Sequence, residues 1–265
     1  MGDNFIDTSK PSPGRIYDYF LGGNHNFEID RQLGDQVIAL LPFITKFSLL
    51  QRWALYDVAA ELTVKRGFNV IIDFASGLPT HGHIHTNVPE GTIVIYSDID
   101  PVTVQYAQTI LKDVPNVYYF QNDANQPEEL LNQPEVLKIL GKRRKVAIGY
   151  WGFSLLQTES EIKKSISRIY DWVAPGSCLA YNANSVPDQQ DPAMLKSQEI
   201  YKKLGSPIYN RSLEKHIELL QPWKLEPEGF ISLLDWHGLN QARLSHEDML
   251  NLAPCGGGFG AFLNK

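Results

Sequence analysis

The change of hydrophobic periodicity after Gly67 constrains the fold more than any other feature of the sequence. Beyond it, five short β-rich runs alternate with helical segments, which predicts right-handed crossovers and a mostly parallel sheet covered on both faces. The helices have clear start signals: Asp100 and Asp191 each precede a proline, and Thr158 with Glu161 forms a capping box. The predicted strands are residues 69–74, 92–97, 117–121, 145–150 and 178–182.

Two further helices are predicted ahead of this alternation. The first begins after Asn26 and ends at Pro42, and its apolar stripe is Ile29, Leu33, Val37 and Leu41. The second covers residues 46–66, with basic residues in its last turn and Gly67 just beyond. We therefore predict that residues 1–67 form an N-terminal helical cap or lid and residues 68–265 form an α/β ligand-binding domain.

Composition narrows the possible partners and the cellular location. The chain has 265 residues, and its net charge of −6 provides no basic field that would gather a nucleic acid. Cys178 and Cys255 are far apart, which excludes a disulfide framework and a cysteine zinc knuckle. No apolar run reaches the roughly 18 residues that span a membrane. We expect a cytoplasmic protein with neither nucleic acid nor membrane as partner; the sequence leaves the oligomeric state open.

The residues that follow each strand are the candidate site, because ligands bind beyond the carboxyl ends of parallel strands. After the first strand, Asp73 is followed by the small residues Ala75, Ser76 and Gly77, which let the backbone approach a ligand. This loop lacks the glycine fingerprint of dinucleotide-binding proteins, which argues against the alternative of a nicotinamide-dependent oxidoreductase.

The second and third strands end in carboxylates that suit a nucleoside. Asp98, followed by Ile99, lies where a carboxylate can accept both hydroxyls of a ribose, whereas Asp100 is better explained as a helix N-cap. Asp123 can accept the exocyclic amine of adenine while the backbone N–H of Ala124 meets a ring nitrogen. The three loops together predict binding of a nucleoside that carries an amino-acid group.

The N-terminal run PSPGRIYDYFLGGNHNFEIDR, residues 11–31, resembles the opening signature of a bacterial family of S-adenosyl methyltransferases. The similarity continues through residues 51–53 and the three strand-end loops to the terminal GGGFG at 256–260, and residues 172–177 resemble the turn before strand five of class I methyltransferases. The resemblance implies a Rossmann-like, seven-stranded, mostly parallel sheet with an antiparallel last strand. It also implies S-adenosylmethionine as the cofactor and methyl transfer to an unidentified small-molecule acceptor.

The same resemblance assigns residues to the cofactor. Asp73, Gly77, Asp98 and Asp123 would contact it, and a cap over the site would contribute Arg15, Asn24, Asn26 and Arg52. We add Ala75, Ile99, Ala124 and Tyr150 to the predicted cofactor contacts. Ala75 replaces a glycine of the family pattern, and residues 150–154 replace a more aliphatic stretch. These departures leave a non-catalytic S-adenosylmethionine sensor or scaffold as the alternative function.

Three predictions concern catalysis, metals and motion. His25 and Tyr150 are the candidates for an optional general base. No metal site is predicted, because His81, His83 and His85 lie where a helix should open and send the second of them away from the others. The segment from residue 11 to residue 31 is predicted to be a lid, since its glycine pair at 22–23 suits a hinge or a close approach to ligand.

Overall fold

The computed structural model describes residues 10–80, 82–185, 191–236 and 243–265. Within these ranges the chain forms one sheet of eight strands in the order β3-β2-β1-β4-β5-β8-β6, with β7 also paired to β8. The strands are β1 (Val70–Phe74), β2 (Ile93–Asp98), β3 (Val117–Gln121), β4 (Ala147–Tyr150), β5 (Cys178–Ala183), β6 (Lys224–Leu225), β7 (Ile231–Ser232) and β8 (Phe259–Asn264).

Strands β1 to β5 are parallel and β8 is antiparallel to β5, as the sequence predicts. The sheet has one strand more than the predicted seven, because β6 and β7 pair separately with β8 and each has only two residues. The central strands β1, β4 and β5 are buried along their whole length. Such continuous burial is typical of parallel strands covered on both faces.

Helices cover both faces of the sheet. One face packs against α3 (Ile44–Ala60), α4 (Pro101–Ile110) and α10 (His246–Leu252). The other packs against α5 (Pro127–Leu131), α6 (Pro134–Leu140), α7 (Glu159–Trp172) and α9 (Leu213–Leu219). The predicted N-caps Asp100 and Asp191 and the predicted capping box at Thr158 are confirmed by their hydrogen bonds to the first helical N–H groups.

A separate small core holds the cap together. It joins α1 (Pro13–Phe20) and α2 (Glu28–Leu40) to α8 (Pro192–Lys203), through Ile16, Phe20 and Val37 on one side and Ile200, Tyr201 and Leu204 on the other. Helix α3 instead packs on the sheet and continues into a π-helical turn, Glu61–Lys65. The helices that pack as a cap therefore come from both halves of the chain.

A buried ion-pair network anchors the cap to the edge of the sheet. The guanidinium of Arg15 donates from Nε to Asp30 at 2.9 Å and from Nη1 to Asp100 at 2.7 Å. Asp100 also accepts the N–H of Val102 at 3.0 Å as the N-cap of α4. The carboxylate of Asp100 thus ties α1 to the loop that follows β2.

Within the described ranges, no single helix is long and apolar enough to cross a membrane. Only α2 together with the helical run Ile44–Lys65 meets the criterion of length and composition, and these two are bent by 104° at their junction.

Candidate active site

A cavity of about 580 Å³ opens at the carboxyl ends of the parallel strands, where the sequence predicts a ligand. This volume lies in the range of sites for small molecules, about 300–1,000 Å³. Its walls combine the loops after β1 to β5 with side chains from α1, α3 and α8. Strand-end loops and cap therefore enclose one space.

The loop after β1 turns tightly against its neighbours. Ser76 donates its hydroxyl to the backbone carbonyl of Asp73 at 2.8 Å, and Ala75 and Gly77 have positive φ of 50° and 64°. A left-handed conformation costs an alanine roughly 1–3 kcal/mol more than a glycine. Ala75 nonetheless keeps a left-handed backbone at the position where the family pattern has glycine. Ala75 is one of the departures on which the sensor alternative rests, and it leaves the turn intact.

Two buried ionisable side chains of opposite sign line the cavity near this loop. Asp73 is 1% exposed, its Oδ1 has no hydrogen-bond partner within the described residues, and burial raises its pKa to about 7. Arg52 is 5% exposed, and its Nε and Nη1 likewise have no partner in that part of the chain. The guanidinium of Arg52 lies 5.5 Å from the ring centroid of Tyr17. Both side chains therefore have buried polar atoms whose hydrogen-bonding capacity the described residues leave unused.

Asp98 is held in place by the two loops that meet at the end of β2. Its Oδ2 accepts the N–H of Gly77 at 3.0 Å and its Oδ1 accepts the N–H of Asp100 at 2.9 Å. Burial raises the pKa of this carboxyl to about 6. The adjacent Ile99 lines the cavity and is 61% exposed, so an apolar surface adjoins the carboxylate.

The loop after β3 contributes Asn122, Asp123 and Ala124 to the cavity wall. Asp123 accepts the N–H of Asn125 through Oδ1 at 2.9 Å. Asn122 donates to the carbonyl of Gln126 at 3.2 Å, and its buried Oδ1 has no partner among the described residues. This end of the cavity therefore offers polar groups to a ligand.

Three residues predicted to contact the cofactor from the cap do not line the cavity. Arg15 is engaged in its ion pairs, and Asn24 is exposed. Asn26 donates its amide to Asp18 and to the carbonyl of Gly23, both at 2.9 Å. A Cβ on Gly23 would lie 2.1 Å from Asp18 Oδ1, so this glycine serves a close approach inside the segment. Its signature residues hold α1 and α2 together.

Neither candidate for the general base, His25 or Tyr150, lines the cavity. Tyr150 is fully buried, its hydroxyl donates to Gln157 at 2.6 Å, and burial raises its pKa further above the usual range. His25 packs its ring edge-on against Tyr106, with the ring centroids 5.3 Å apart.

His83, the middle histidine of the run, has a structural role. His83 is fully buried, with Nδ1 at 2.9 Å from the hydroxyl of Tyr96 and Nε2 at 3.1 Å from the carbonyl of Ser76. It precedes the short helical turn Ile84–Asn87, and burial lowers its pKa. His81 lies outside the described residues. Among those described, no group of three or more His, Cys, Asp or Glu side chains is arranged to hold a metal ion.

Sequence reasoning missed the cap-side wall of the cavity. Asn184 lies just after β5, so the rule that ligands bind at strand ends could have identified it. Gln51 directly precedes Arg52, which is a predicted cofactor contact. The helix α8 and the loop behind it carry no sequence signal of this kind. Their cavity-lining residues are Met194, Ser197, Gln198, Tyr201 and residues 205–210.

A family profile described as S-adenosyl methyltransferase matches residues 2–258. The chain belongs to this family. The enzyme is therefore an S-adenosylmethionine-dependent methyltransferase, and its sheet and strand-end loops form the Rossmann-like fold of such enzymes.

Solved structures agree with this assignment. The methyltransferase is 27% identical to a candidate methyltransferase from Thermobifida fusca, with a TM-score of 0.85 over 99% of this chain and 97% of that one. A DUF574 family protein from Streptomyces avermitilis shares the fold at 22% identity, with a TM-score of 0.85 over 98% and 99% of the two chains. Magnesium protoporphyrin IX methyltransferase from Synechocystis, solved with S-adenosylhomocysteine, shares it at 13% identity and a TM-score of 0.51 over 98% and 95%. No curated protein matches the sequence.

Proposed function

We propose that this methyltransferase encloses S-adenosylmethionine and a small, largely apolar acceptor together beneath the helical cap. The supporting observation is that a single cavity combines polar groups after β1, β2 and β3 with apolar side chains from the cap and α3. Sites for small molecules typically pair a mostly apolar wall with a few well-placed polar groups. The apolar side chains are Phe20, Val37, Leu41, Phe43, Ile44, Phe47, Met194 and Tyr201.

Asp98 and Asp123 would hold the nucleoside. Each oxygen of Asp98 accepts one backbone N–H and keeps acceptor capacity for a ribose hydroxyl. Asp123 uses one oxygen for its own loop and would accept the adenine amine through the other, with the N–H of Ala124 beside it. Ile99 offers the exposed apolar surface that a purine ring would cover.

Asp73 and Arg52 fit the amino-acid end of the cofactor. Burying a charged group whose hydrogen bonds are only partly met is costly, so both side chains favour a ligand that brings the opposite charges. The methionyl group carries an ammonium and a carboxylate, which would pair with Asp73 and Arg52 respectively. The unpartnered Oδ1, Nε and Nη1 atoms are the observation on which this fit rests.

Bound S-adenosylmethionine supplies a methyl group on a positively charged sulfur, which is a strong electrophile. The residues of this chain then have to position the acceptor and exclude water, and such positioning alone can provide much of a rate enhancement. Because His25 and Tyr150 do not line the cavity, we propose neither as a general base.

The cap that covers the acceptor would consist of α1, α2 and α8, and α3 would belong to the sheet domain. This division replaces the predicted boundary at residue 67, because the small core joins α8 to the N-terminal helices. Residues 12–14 and 17 line the cavity from α1 and the residue before it, which supports the proposal that this segment acts as a lid.

The partners and location that we propose follow from charge and chemistry. A net charge of −6 gives no field that would attract a nucleic acid. Cys178 and Cys255 are free and buried, which suits the reducing cytoplasm. We therefore propose a cytoplasmic enzyme that methylates a metabolite.

Calorimetric titration tests the cofactor site. Wild type should bind S-adenosylmethionine and S-adenosylhomocysteine, and Arg52→Met should lose at least tenfold in affinity for both because a charge-assisted contact is removed. Asp113→Asn, an exposed carboxylate outside the cavity, is the matched control. Equal affinities in wild type and Arg52→Met would rule out the assigned carboxylate contact.

Methyl-labelled S-adenosylmethionine tests the acceptor class. After incubation with a cell extract and ultrafiltration, the label should appear in the low-molecular-weight, organic-extractable fraction. Label recovered only in protein or nucleic acid would contradict a small apolar acceptor.

A further inference from the structure

Three amide side chains form a row at the part of the cavity that the proposed cofactor contacts leave unused. Gln51 lies on α3, Asn182 in β5 and Asn184 just after β5. Gln51 is 3% exposed and lines the cavity together with Asn184, and Asn182 is fully buried beside them. In the sheet, β4 and β5 lie on the other side of β1 from β2 and β3. A cofactor that runs from β3 to β1 would leave this end for the acceptor.

The hydrogen bonds of the row fix the orientation of each amide. Asn182 donates its Nδ2 to the backbone carbonyl of Phe259 at 2.9 Å, so its Oδ1 has to face Gln51. Gln51 donates from Nε2 to Asn182 Oδ1 at 3.1 Å and to Asn184 Oδ1 at 3.0 Å. These bonds use both hydrogens of the Gln51 amide. A flipped Gln51 would place its oxygen against two other carbonyl oxygens.

One acceptor atom and one donor atom of these amides make no hydrogen bond within the row. In the part of the chain that the structure describes, no hydrogen bond reaches Gln51 Oε1 and none leaves Asn184 Nδ2. Both atoms keep accessible surface, so a ligand in the cavity can reach them. The backbone of Gln51 is itself held, because Trp151 donates its Nε1 to the Gln51 carbonyl at 3.1 Å. The result is a preorganised, uncharged hydrogen-bonding pair.

The surroundings favour a neutral group at this pair. The carboxylates of the cavity wall follow β1, β2 and β3, apart from Glu161, whose Oε2 already accepts the N–H and the hydroxyl of Thr158. Phe47 and Trp151 supply aromatic surface beside Gln51. Among the described residues, an ammonium placed here would meet no counter-charge at the end of β5, and an anion would be drawn to Arg52.

We propose that Gln51 and Asn184 recognise the acceptor, and that the acceptor is a neutral, ring-bearing molecule with a hydroxyl or amine. Its O–H or N–H donates to Gln51 Oε1, and Asn184 Nδ2 donates to a lone pair of the same polar group. This inference rests on the proposed function, because it takes the opposite end of the cavity as the cofactor site.

Four naphthalene derivatives used as probes isolate the polar group, since they share one ring system. With the protein saturated by S-adenosylhomocysteine, 2-naphthol and 2-naphthylamine should bind about tenfold more tightly than 2-methoxynaphthalene, which has no hydrogen to donate. The fourth probe, 2-naphthoate, should bind no better than the ether. Naphthalene fluorescence reports the titration.

The variant Gln51→Met keeps the size of the side chain and removes the amide. It should bind 2-naphthol and the ether with equal affinity, and Gln105→Met, at an exposed glutamine of α4, should retain the tenfold preference. Should Gln51→Met fail to fold, Asn184→Leu serves in its place, because Gln51 then loses one of the carbonyls that orient it.

The possible outcomes separate the two proposals. Loss of S-adenosylhomocysteine binding in wild type would refute the proposed cofactor site. Three results would overturn the acceptor proposal alone, provided that S-adenosylhomocysteine binds normally. They are equal affinity for 2-naphthol and the ether, tightest binding of 2-naphthoate, and no binding of any probe.

Discussion

Replacing Asp73 by asparagine should stabilise the folded protein while it removes cofactor binding. Burial raises the pKa of this carboxyl from 3.8 to about 7. At 1.36 kcal/mol for each pKa unit, the ionised side chain costs the folded state about 4 kcal/mol at pH 8. Asparagine removes that cost, but its amide hydrogens bring an unmet hydrogen bond worth about 1–3 kcal/mol. The expected net gain is about 2 kcal/mol, roughly 4–8 °C in melting temperature.

The gain should depend on pH in a defined direction. The folded-state pKa of Asp73 is raised, so its contribution to stability is greatest below the unfolded pKa and is lost as pH rises through about 7. At pH 5 the folded carboxyl is protonated, and the penalty is smaller by two pKa units, about 2.7 kcal/mol. The advantage of Asp73→Asn should therefore disappear or reverse between pH 8 and pH 5.

Urea unfolding at pH 5 and pH 8 measures this difference, and titration with S-adenosylhomocysteine measures the loss of binding. Asp98→Asn is the matched control. Burial also raises the pKa of Asp98, to about 6, but both of its oxygens accept backbone N–H groups, so an amide nitrogen there would face a donor and offset the gain. A stability gain that is equal at the two pH values, or a destabilised Asp73→Asn at pH 8, would refute the burial argument.

Three further predictions follow from the same loops and from the cap. Asp98→Ala should weaken S-adenosylmethionine binding about ten- to hundredfold by calorimetry while the protein stays folded, and unchanged affinity would remove its ribose role. Asp100→Ala should instead lower the free energy of unfolding by at least 1 kcal/mol in urea titration, because α4 loses its N-cap and Arg15 loses one of its ion-pair partners. A larger effect on affinity than on stability would contradict this. Hydrogen exchange across residues 13–20 should slow on addition of S-adenosylhomocysteine, and exchange that ligand leaves unchanged would make the segment purely structural.

Local signals in the sequence predicted the elements that local physics determines. The N-caps Asp100 and Asp191 satisfy N–H groups two or three residues away, and β3 spans the predicted residues 117–121. The strand-end rule likewise placed Asp73, Asp98 and Asp123 on one cavity wall. Each of these inferences depends on neighbours in the chain or on the regular geometry of a parallel sheet.

The features that sequence reasoning missed depend on contacts between distant segments. Arg15 was assigned to the cofactor because it lies in a specific motif, yet its guanidinium donates to Asp30, Asp100 and the carbonyl of Lys10. The strands β6 and β7 have two residues each, which is too few to show a hydrophobic periodicity in the sequence. Helix α8 lines the cavity only because it packs on helices near the start of the chain.

The two-part cap also has a consequence for the order in which the protein assembles. During synthesis, Ile16, Phe20 and Val37 emerge first, and the part of their small core that Ile200, Tyr201 and Leu204 supply follows only with α8. Domains generally fold as their segments leave the ribosome, and joining distant segments carries an entropic cost of loop closure. By the time α8 emerges, all five parallel strands have been made. A nascent chain therefore completes its five parallel strands before α8 can complete the cap over the cavity.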